Sequence, residues 1–160
     1  MSISYENAIS KKMKKIFLGK QIEKCIQLYD ENSCLIDNII YFRINGVFWG
    51  FYVNGCGPFV SSYFFDDLDS FDLYSLYDDI TLSEMADFKD FNVKTLELFL
   101  DGEYNKLHGI LLNGEDVIIG IVFLDDEICL LFPKSKNEFV NSIKEKLSHV
   151  NMNTLRTIIK

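Results

Sequence analysis

Cys56 and His108 are the two residues whose types could together carry out nucleophilic catalysis. Cys56 stands in the run Gly55-Cys56-Gly57-Pro58, whose turn-forming residues would hold a thiol at the surface. A nucleophilic thiol needs a neighbouring base, and His108 would serve if folding brings the imidazole to the thiol. Because the spacing of the two residues matches no catalytic signature, we favour a structural turn and keep a small cysteine-dependent enzyme as an alternative.

The cysteine pattern argues against metal binding and against disulfide bonds. The four cysteines, Cys25, Cys34, Cys56 and Cys129, are widely spaced, contain no C-x-x-C pair and are accompanied by two histidines. The sequence also lacks a P-loop, a dinucleotide-binding glycine pattern and a G-x-S-x-G motif. We therefore predict four free thiols, no metal ion and no cofactor, in a protein of the reducing cytoplasm.

The negative charge of the chain is concentrated in one segment, residues 66–90, which we call the acidic segment. It holds nine acidic residues and one base, Lys89, and its net charge of −8 equals that of all 160 residues. Because a nucleic acid repels a surface of this sign, we expect no direct nucleic-acid binding. Spaced carboxylates can still mimic phosphates towards a protein that binds them.

Aromatic side chains are interleaved with these carboxylates. A mixture of carboxylates and aromatic rings suits an interface that receives Arg and Lys side chains from a basic protein. The alternative is a solvated helical surface whose aromatic residues belong to the core. The residues that we predict to bind the partner are Asp66, Asp67, Asp69, Asp72, Tyr74, Tyr77, Asp78 and Asp79.

In size, acidity, aromatic content and lack of catalytic motifs, the chain resembles bacterial toxin-immunity proteins. The resemblance implies a binding protein without enzymatic activity that inhibits a cognate toxin, such as a nuclease, by covering its substrate-binding surface. It also implies a cognate toxin encoded nearby. The charge of the acidic segment predicts that this partner is a basic protein and that the segment lies in the interface. A homo-oligomeric adaptor or structural protein is a further alternative, in which strands or the N-terminal helix pair with a second copy.

The first part of the chain has a helical pattern followed by strand patterns. Residues 5–29 form an apolar stripe with lysines on the other faces, which favours a helix packed on the core over one lying on a membrane. Short runs rich in β-formers follow at residues 39–44, 47–53 and 59–65. Asn45-Gly46 favours a type I′ hairpin between the first two runs. These patterns predict a three-stranded antiparallel meander.

The later helices are predicted from spacing and capping residues. Leu73, Leu76, Tyr77 and Ile80 fall on one helical stripe within the acidic segment. Thr81 with Glu84 has the spacing of a capping box, which predicts the start of a second helix there. Ser135 with Glu138 predicts a C-terminal helix in the same way, and a shorter helix is predicted from Asn153.

Strand-like runs return between these helices, at residues 95–100, 107–112, 116–124 and 128–132, with a hairpin turn predicted at Asn113-Gly114. The whole pattern predicts an α+β fold with an antiparallel sheet of about six to seven strands, flanked by an N-terminal helix, a central acidic helical insert and a C-terminal helix. We expect residues 1–160 to form a single domain. The longest apolar run, residues 117–124, has the length of a strand, so we expect no membrane-spanning segment.

Overall fold

The computed structural model describes residues 2–55, 57–62, 80–85, 90–101, 106–148 and 155–159. Over these residues the chain is α+β, as predicted, with two helices and two antiparallel sheets. The prediction of one sheet is wrong, because the described strands divide into a six-stranded and a five-stranded sheet. The chain clusters into two compact units: Met1–Lys20, Asn92–Leu124 and Cys129–Lys160 form the first unit, and Gln21–Phe91 and Asp125–Ile128 form the second.

The elements in chain order are α1 (Ser2–Phe17), β1 (Gln21–Tyr29), β2 (Leu35–Ile44), β3 (Val47–Tyr52), β4 (Phe59–Ser61), β5 (Thr81–Glu84), β6 (Phe91–Asn92), β7 (Thr95–Asp101), β8 (Lys106–Asn113), β9 (Ile118–Phe123), β10 (Ile128–Leu131), α2 (Lys136–Lys146) and β11 (Leu155–Ile159). The five-stranded sheet lies mainly in the first unit and has the order β10-β9-β8-β7-β11. The six-stranded sheet lies mainly in the second unit and has the order β4-β3-β2-β1-β5, with β6 also paired to β1.

The N-terminal helix is shorter than predicted. α1 ends at Phe17 and β1 occupies Gln21–Tyr29, so the predicted helix over residues 5–29 is wrong in its second half. Gly19 has a φ of +69°, a left-handed conformation that ends a helix and that glycine adopts without strain. The Gly19 N–H then donates to the Val93 carbonyl at 3.1 Å, which ties the chain leaving the helix to the residues that precede β7.

The apolar stripe of α1 is part of the core of the first unit. Met13, Ile16 and Phe17 are at most 1% exposed, and α1 packs against β7. The prediction that this stripe packs in the core therefore agrees with the structure, and the stripe is not available to a lipid surface. The lysines of α1 lie on its other faces, where Lys11, Lys14 and Lys15 are exposed.

The two predicted hairpins are both present, with different turns. In the β2–β3 hairpin, Asn45 and Gly46 have φ values of +49° and +79°, and a type I′ turn needs positive φ at both positions. In the β8–β9 hairpin, Asn113 is still part of the ladder and pairs with Ile118, so the turn comprises residues 114–117. The sequence therefore predicted this hairpin correctly and its turn residues wrongly.

The C-terminal helix begins where the capping box predicts. The Ser135 hydroxyl accepts a hydrogen bond from the Glu138 N–H at 3.2 Å, and the Glu138 carboxylate accepts one from the Lys134 N–H at 2.7 Å. α2 then buries Phe139 completely against the five-stranded sheet. Gly120 permits this close approach, because a Cβ at that position would lie 2.3 Å from the Phe139 ring.

Two segments predicted as helices are strands. Thr81–Glu84 forms β5 rather than a helix start, and Leu155–Ile159 forms β11 rather than part of a short helix from Asn153. Each is the terminal strand in its sheet order, where β5 pairs with β1 and β11 pairs with β7. The helical spacing was a local signal, and pairing with a strand distant in sequence overrode it. The helix predicted from Leu73 lies outside the described residues apart from Ile80.

Candidate functional site

The predicted partner-binding residues Asp66, Asp67, Asp69, Asp72, Tyr74, Tyr77, Asp78 and Asp79 lie outside the residues that the structure describes. The structure does describe the sheet at both ends of their segment. β4 ends at Ser61 on one edge of the six-stranded sheet, and β5 begins at Thr81 on the opposite edge. Neighbouring strands are about 4.8 Å apart, so the chain that contains these residues connects edges separated by four strand spacings, or about 19 Å.

One face of the six-stranded sheet carries a buried apolar cluster next to the end of this segment. The cluster consists of Ile26, Leu28, Ile36, Ile39 and Tyr41, and Phe48, Tyr52 and Ile80 pack against it. Ile80 is the last position of the helical stripe predicted within the acidic segment. The described end of that stripe therefore contacts the core of the second unit through its apolar side chain.

β5 follows immediately and is exposed along its whole length. All four residues of Thr81–Glu84 are exposed, and Leu82 keeps 40% of its surface accessible. The Glu84 carboxylate forms an ion pair with Lys24 Nζ at 2.8 Å, and an exposed pair of this kind contributes roughly 0.2–1 kcal/mol. Asp90 is exposed as well. The two acidic side chains of the acidic segment that the structure describes, Glu84 and Asp90, thus both face solvent.

Met85 attaches the chain to the sheet directly after β5. Its N–H donates to the Cys25 carbonyl at 2.9 Å, and its sulfur lies 3.7 Å from the Cys25 thiol. Burial raises the pKa of the Cys25 thiol, so this thiol stays protonated and unreactive. Cys25, Cys34 and Cys129 are in no disulfide bond, as predicted. Cys56 lies outside the described residues.

His108 lies in the five-stranded sheet and is 3% exposed. The pairing of β7 with β8 shifts register between Phe99 and Leu100, which leaves His108 as the extra residue of a β-bulge. Its Nε2 lies 3.9 Å from Oδ2 of Asp101, whose side chain is 1% exposed. This imidazole is therefore enclosed by its own sheet, whereas the enzyme alternative requires it to reach a surface thiol. The pairing of His108 with Cys56 stays a prediction.

Thiol alkylation distinguishes these cysteines. We expect Cys34, which is exposed, to be accessible to the reagent, and Cys25 to react at least about 100-fold more slowly than Cys34, because a buried thiol reacts only when the structure opens. Peptide mapping by mass spectrometry at pH 6.5 and pH 8.5 measures each site. If Cys56 keeps its full rate at pH 6.5 while a small reference thiol such as N-acetylcysteine slows about tenfold per pH unit, Cys56 is an activated nucleophile and the enzyme alternative gains support.

Comparison of the chain with protein-family models, curated proteins and solved structures found no match. Within the described ranges, no three His, Cys, Asp or Glu side chains lie close enough together to hold a metal ion. Neither helix in the same part of the chain is long and apolar enough to cross a membrane. The candidate site is therefore interpreted from its own charges and contacts.

Sequence reasoning missed two features. One is the exposed edge at β5, because Thr81 and Glu84 have the spacing of a capping box. The other is a depression lined by lysines beside α1. The spacing of Lys11, Lys14 and Lys15 could have indicated this depression, because it places the three lysines on one side of a helix.

Proposed function

We propose that this protein binds and neutralises a basic protein partner through the acidic segment, as an immunity protein does with its cognate toxin. The observation that most supports the proposal is that Ile80 packs on the buried cluster of the six-stranded sheet while Glu84 and Asp90 are exposed. A helical stripe that contacts the sheet through Ile80 would direct Asp78 and Asp79, which fall off the stripe, towards solvent. The segment would then present carboxylates to a partner from a fixed support.

The charge of this segment favours a partner rich in Arg and Lys for two physical reasons. A concentrated net charge of −8 steers a positively charged surface towards it and raises the association rate at low ionic strength. Carboxylates also accept paired hydrogen bonds from a guanidinium group, which fixes the orientation of the complex. A toxin nuclease fits this description, since its substrate groove has to be basic to bind phosphates. A protein that covers this groove blocks the substrate.

The proposal predicts that neutralising four carboxylates of the acidic segment abolishes capture of the partner. The variant carries Asp66→Asn, Asp67→Asn, Asp69→Asn and Asp72→Asn. We expect its affinity to fall at least about 100-fold, because charged interface pairs each contribute of the order of 1 kcal/mol or more. The measurement is affinity capture from the lysate of the native cell, in low salt and in about 0.5 M salt, where screening shortens to a few Å.

A matched control removes the same charge elsewhere. Glu31, Asp37, Asp116 and Asp126 are all exposed and lie outside the acidic segment, so their Gln and Asn variants change the net charge equally. Capture that is lost in the test variant and kept in the control supports the proposal. Equal loss in both variants indicates a general charge effect and contradicts it.

The inhibitor role is tested with the captured protein itself. Expressed alone, the partner should stop growth, and co-expression of the wild-type chain should restore it. The four-fold Asn variant should fail to restore growth although it folds normally. A partner without toxicity, or rescue by both proteins, would overturn the immunity function.

A further inference from the structure

A depression with a volume of ≈ 560 Å³ lies beside α1, from Asn7 to the end of the helix. Its lining residues are Asn7, Ser10, Lys11, Lys14, Lys15 and Lys20. Five of these belong to one side of α1, and Lys20 follows Gly19 just before β1. All of them lie in the first unit, so the depression is formed within one compact part of the protein.

The lysines of the depression are a group of like charges without ion pairs among the described residues, a property that Lys134, Lys144 and Lys146 share. Within the described part of the chain, none of Lys11, Lys14, Lys15 and Lys20 forms an ion pair. Elsewhere Lys24 pairs with Glu84, Lys94 with Glu115, and Lys136 with Glu97. Four positive charges without ion pairs among the described residues, placed around one concave surface, produce a positive potential that attracts an anion.

This arrangement also weakens the helix that carries it. Lys11 lies three and four positions before Lys14 and Lys15, and like charges at these spacings destabilise a helix by roughly 0.2–0.5 kcal/mol per pair. The helix dipole offsets part of this cost at Lys14 and Lys15, which stand in the last turn of α1. The helix dipole does not offset the repulsion at Lys20, because Lys20 lies beyond the end of α1. An anion held among the lysines would relieve the repulsion of all of them.

The polar residues of the depression add hydrogen-bond donors. Ser10 lines the depression and is 6% exposed, and its hydroxyl can donate one hydrogen bond. The Asn7 side chain can donate two further hydrogen bonds beside it. Lysine binds phosphate groups as a point charge, and several lysines together match the multiple negative charges of a polyphosphate better than the single charge of a carboxylate.

We propose that this depression binds a small anion carrying several phosphate groups. Its volume falls in the range of pockets for small ligands, about 300–1,000 Å³. The apolar stripe of α1 is buried in the core, so this helix has no apolar face to insert into a membrane. The proposal does not involve the acidic segment, so the outcome of its test does not depend on the proposed function.

The experiment measures binding of inorganic tripolyphosphate to the full chain by isothermal titration calorimetry at about 50 mM salt. We expect saturable binding to one site, and at least about tenfold weaker binding by a variant with Lys11→Gln, Lys14→Gln and Lys15→Gln, since each lost charge contact weakens the complex. Lys20→Gln is the second variant. Lys20 lies outside α1, so this substitution should weaken binding without altering the helix.

The matched control is a variant with Lys134→Gln, Lys144→Gln and Lys146→Gln. These lysines are exposed, and the last two stand in the final turn of α2, where they have the same relation to a helix dipole. Binding that is lost with the lysines of α1 and kept in this control supports the site. Equal loss in both variants, or no saturable binding at 1 mM tripolyphosphate with about 50 mM salt, would overturn it. Tighter binding of a single-stranded oligonucleotide than of tripolyphosphate would overturn it in favour of a nucleic-acid surface.

Discussion

The Phe139→Ala variant should be less stable than the wild type by about 3–5 kcal/mol, the largest effect that we expect from a single substitution. Phe139 is fully buried between α2 and the five-stranded sheet, and its ring meets that of Phe99 edge to face at 5.3 Å between centroids. Alanine would remove this contact and leave a cavity above Gly120, where the sheet has no side chain to fill the space. Urea unfolding followed by circular dichroism measures the free energy difference.

Asn141→Ala is the control for this variant, because Asn141 is exposed on the same helix. Its free energy of unfolding should stay within about 0.5 kcal/mol of the wild type. A loss below about 1 kcal/mol for Phe139→Ala would mean that α2 does not depend on this contact, and the described packing of the first unit would be contradicted.

The Leu28→Ala variant is expected to lose about 2–5 kcal/mol, for the corresponding reason in the second unit. Leu28 is fully buried in the cluster of the six-stranded sheet against which Ile80 packs. Leu35→Ala provides a matched control on the neighbouring strand, since Leu35 is 43% exposed and loses less buried surface. Trp49 of β3 is the single tryptophan of the chain, so its fluorescence reports unfolding of this sheet specifically.

These two variants also test whether residues 1–160 form a single domain. A single cooperative domain predicts that Leu28→Ala and Phe139→Ala each shift the Trp49 fluorescence transition and the circular dichroism transition together. Separate transitions, with Phe139→Ala leaving the Trp49 signal at its wild-type midpoint, would contradict the single-domain prediction. Hydrogen exchange of the α2 and β2 amides provides the same comparison without denaturant.

Part of the candidate site could be predicted from the sequence because it depends on composition. The concentration of charge between residues 66 and 90 is a property of the chain itself, and the exposure of Glu84 and Asp90 agrees with it. The contact of Ile80 with the sheet could not be predicted. Helical spacing shows which residues share one face of a helix, but not which surface that face packs against. The depression beside α1 was missed because Lys20 joins the helix lysines only through the turn at Gly19.

The sequence by itself determined the features that arise from residues close together in the chain. Asn45-Gly46 defines a hairpin, Ser135 and Glu138 start α2, and the alternating apolar runs define strands, because each depends on local dihedral angles and hydrogen bonds. Only the tertiary structure decided how the strands divide into two sheets and why β5 and β11 are strands rather than helices. Their conformation depends on backbone hydrogen bonds to β1 and β7, tens of residues away, whose energy outweighs the weak local preference for a helix.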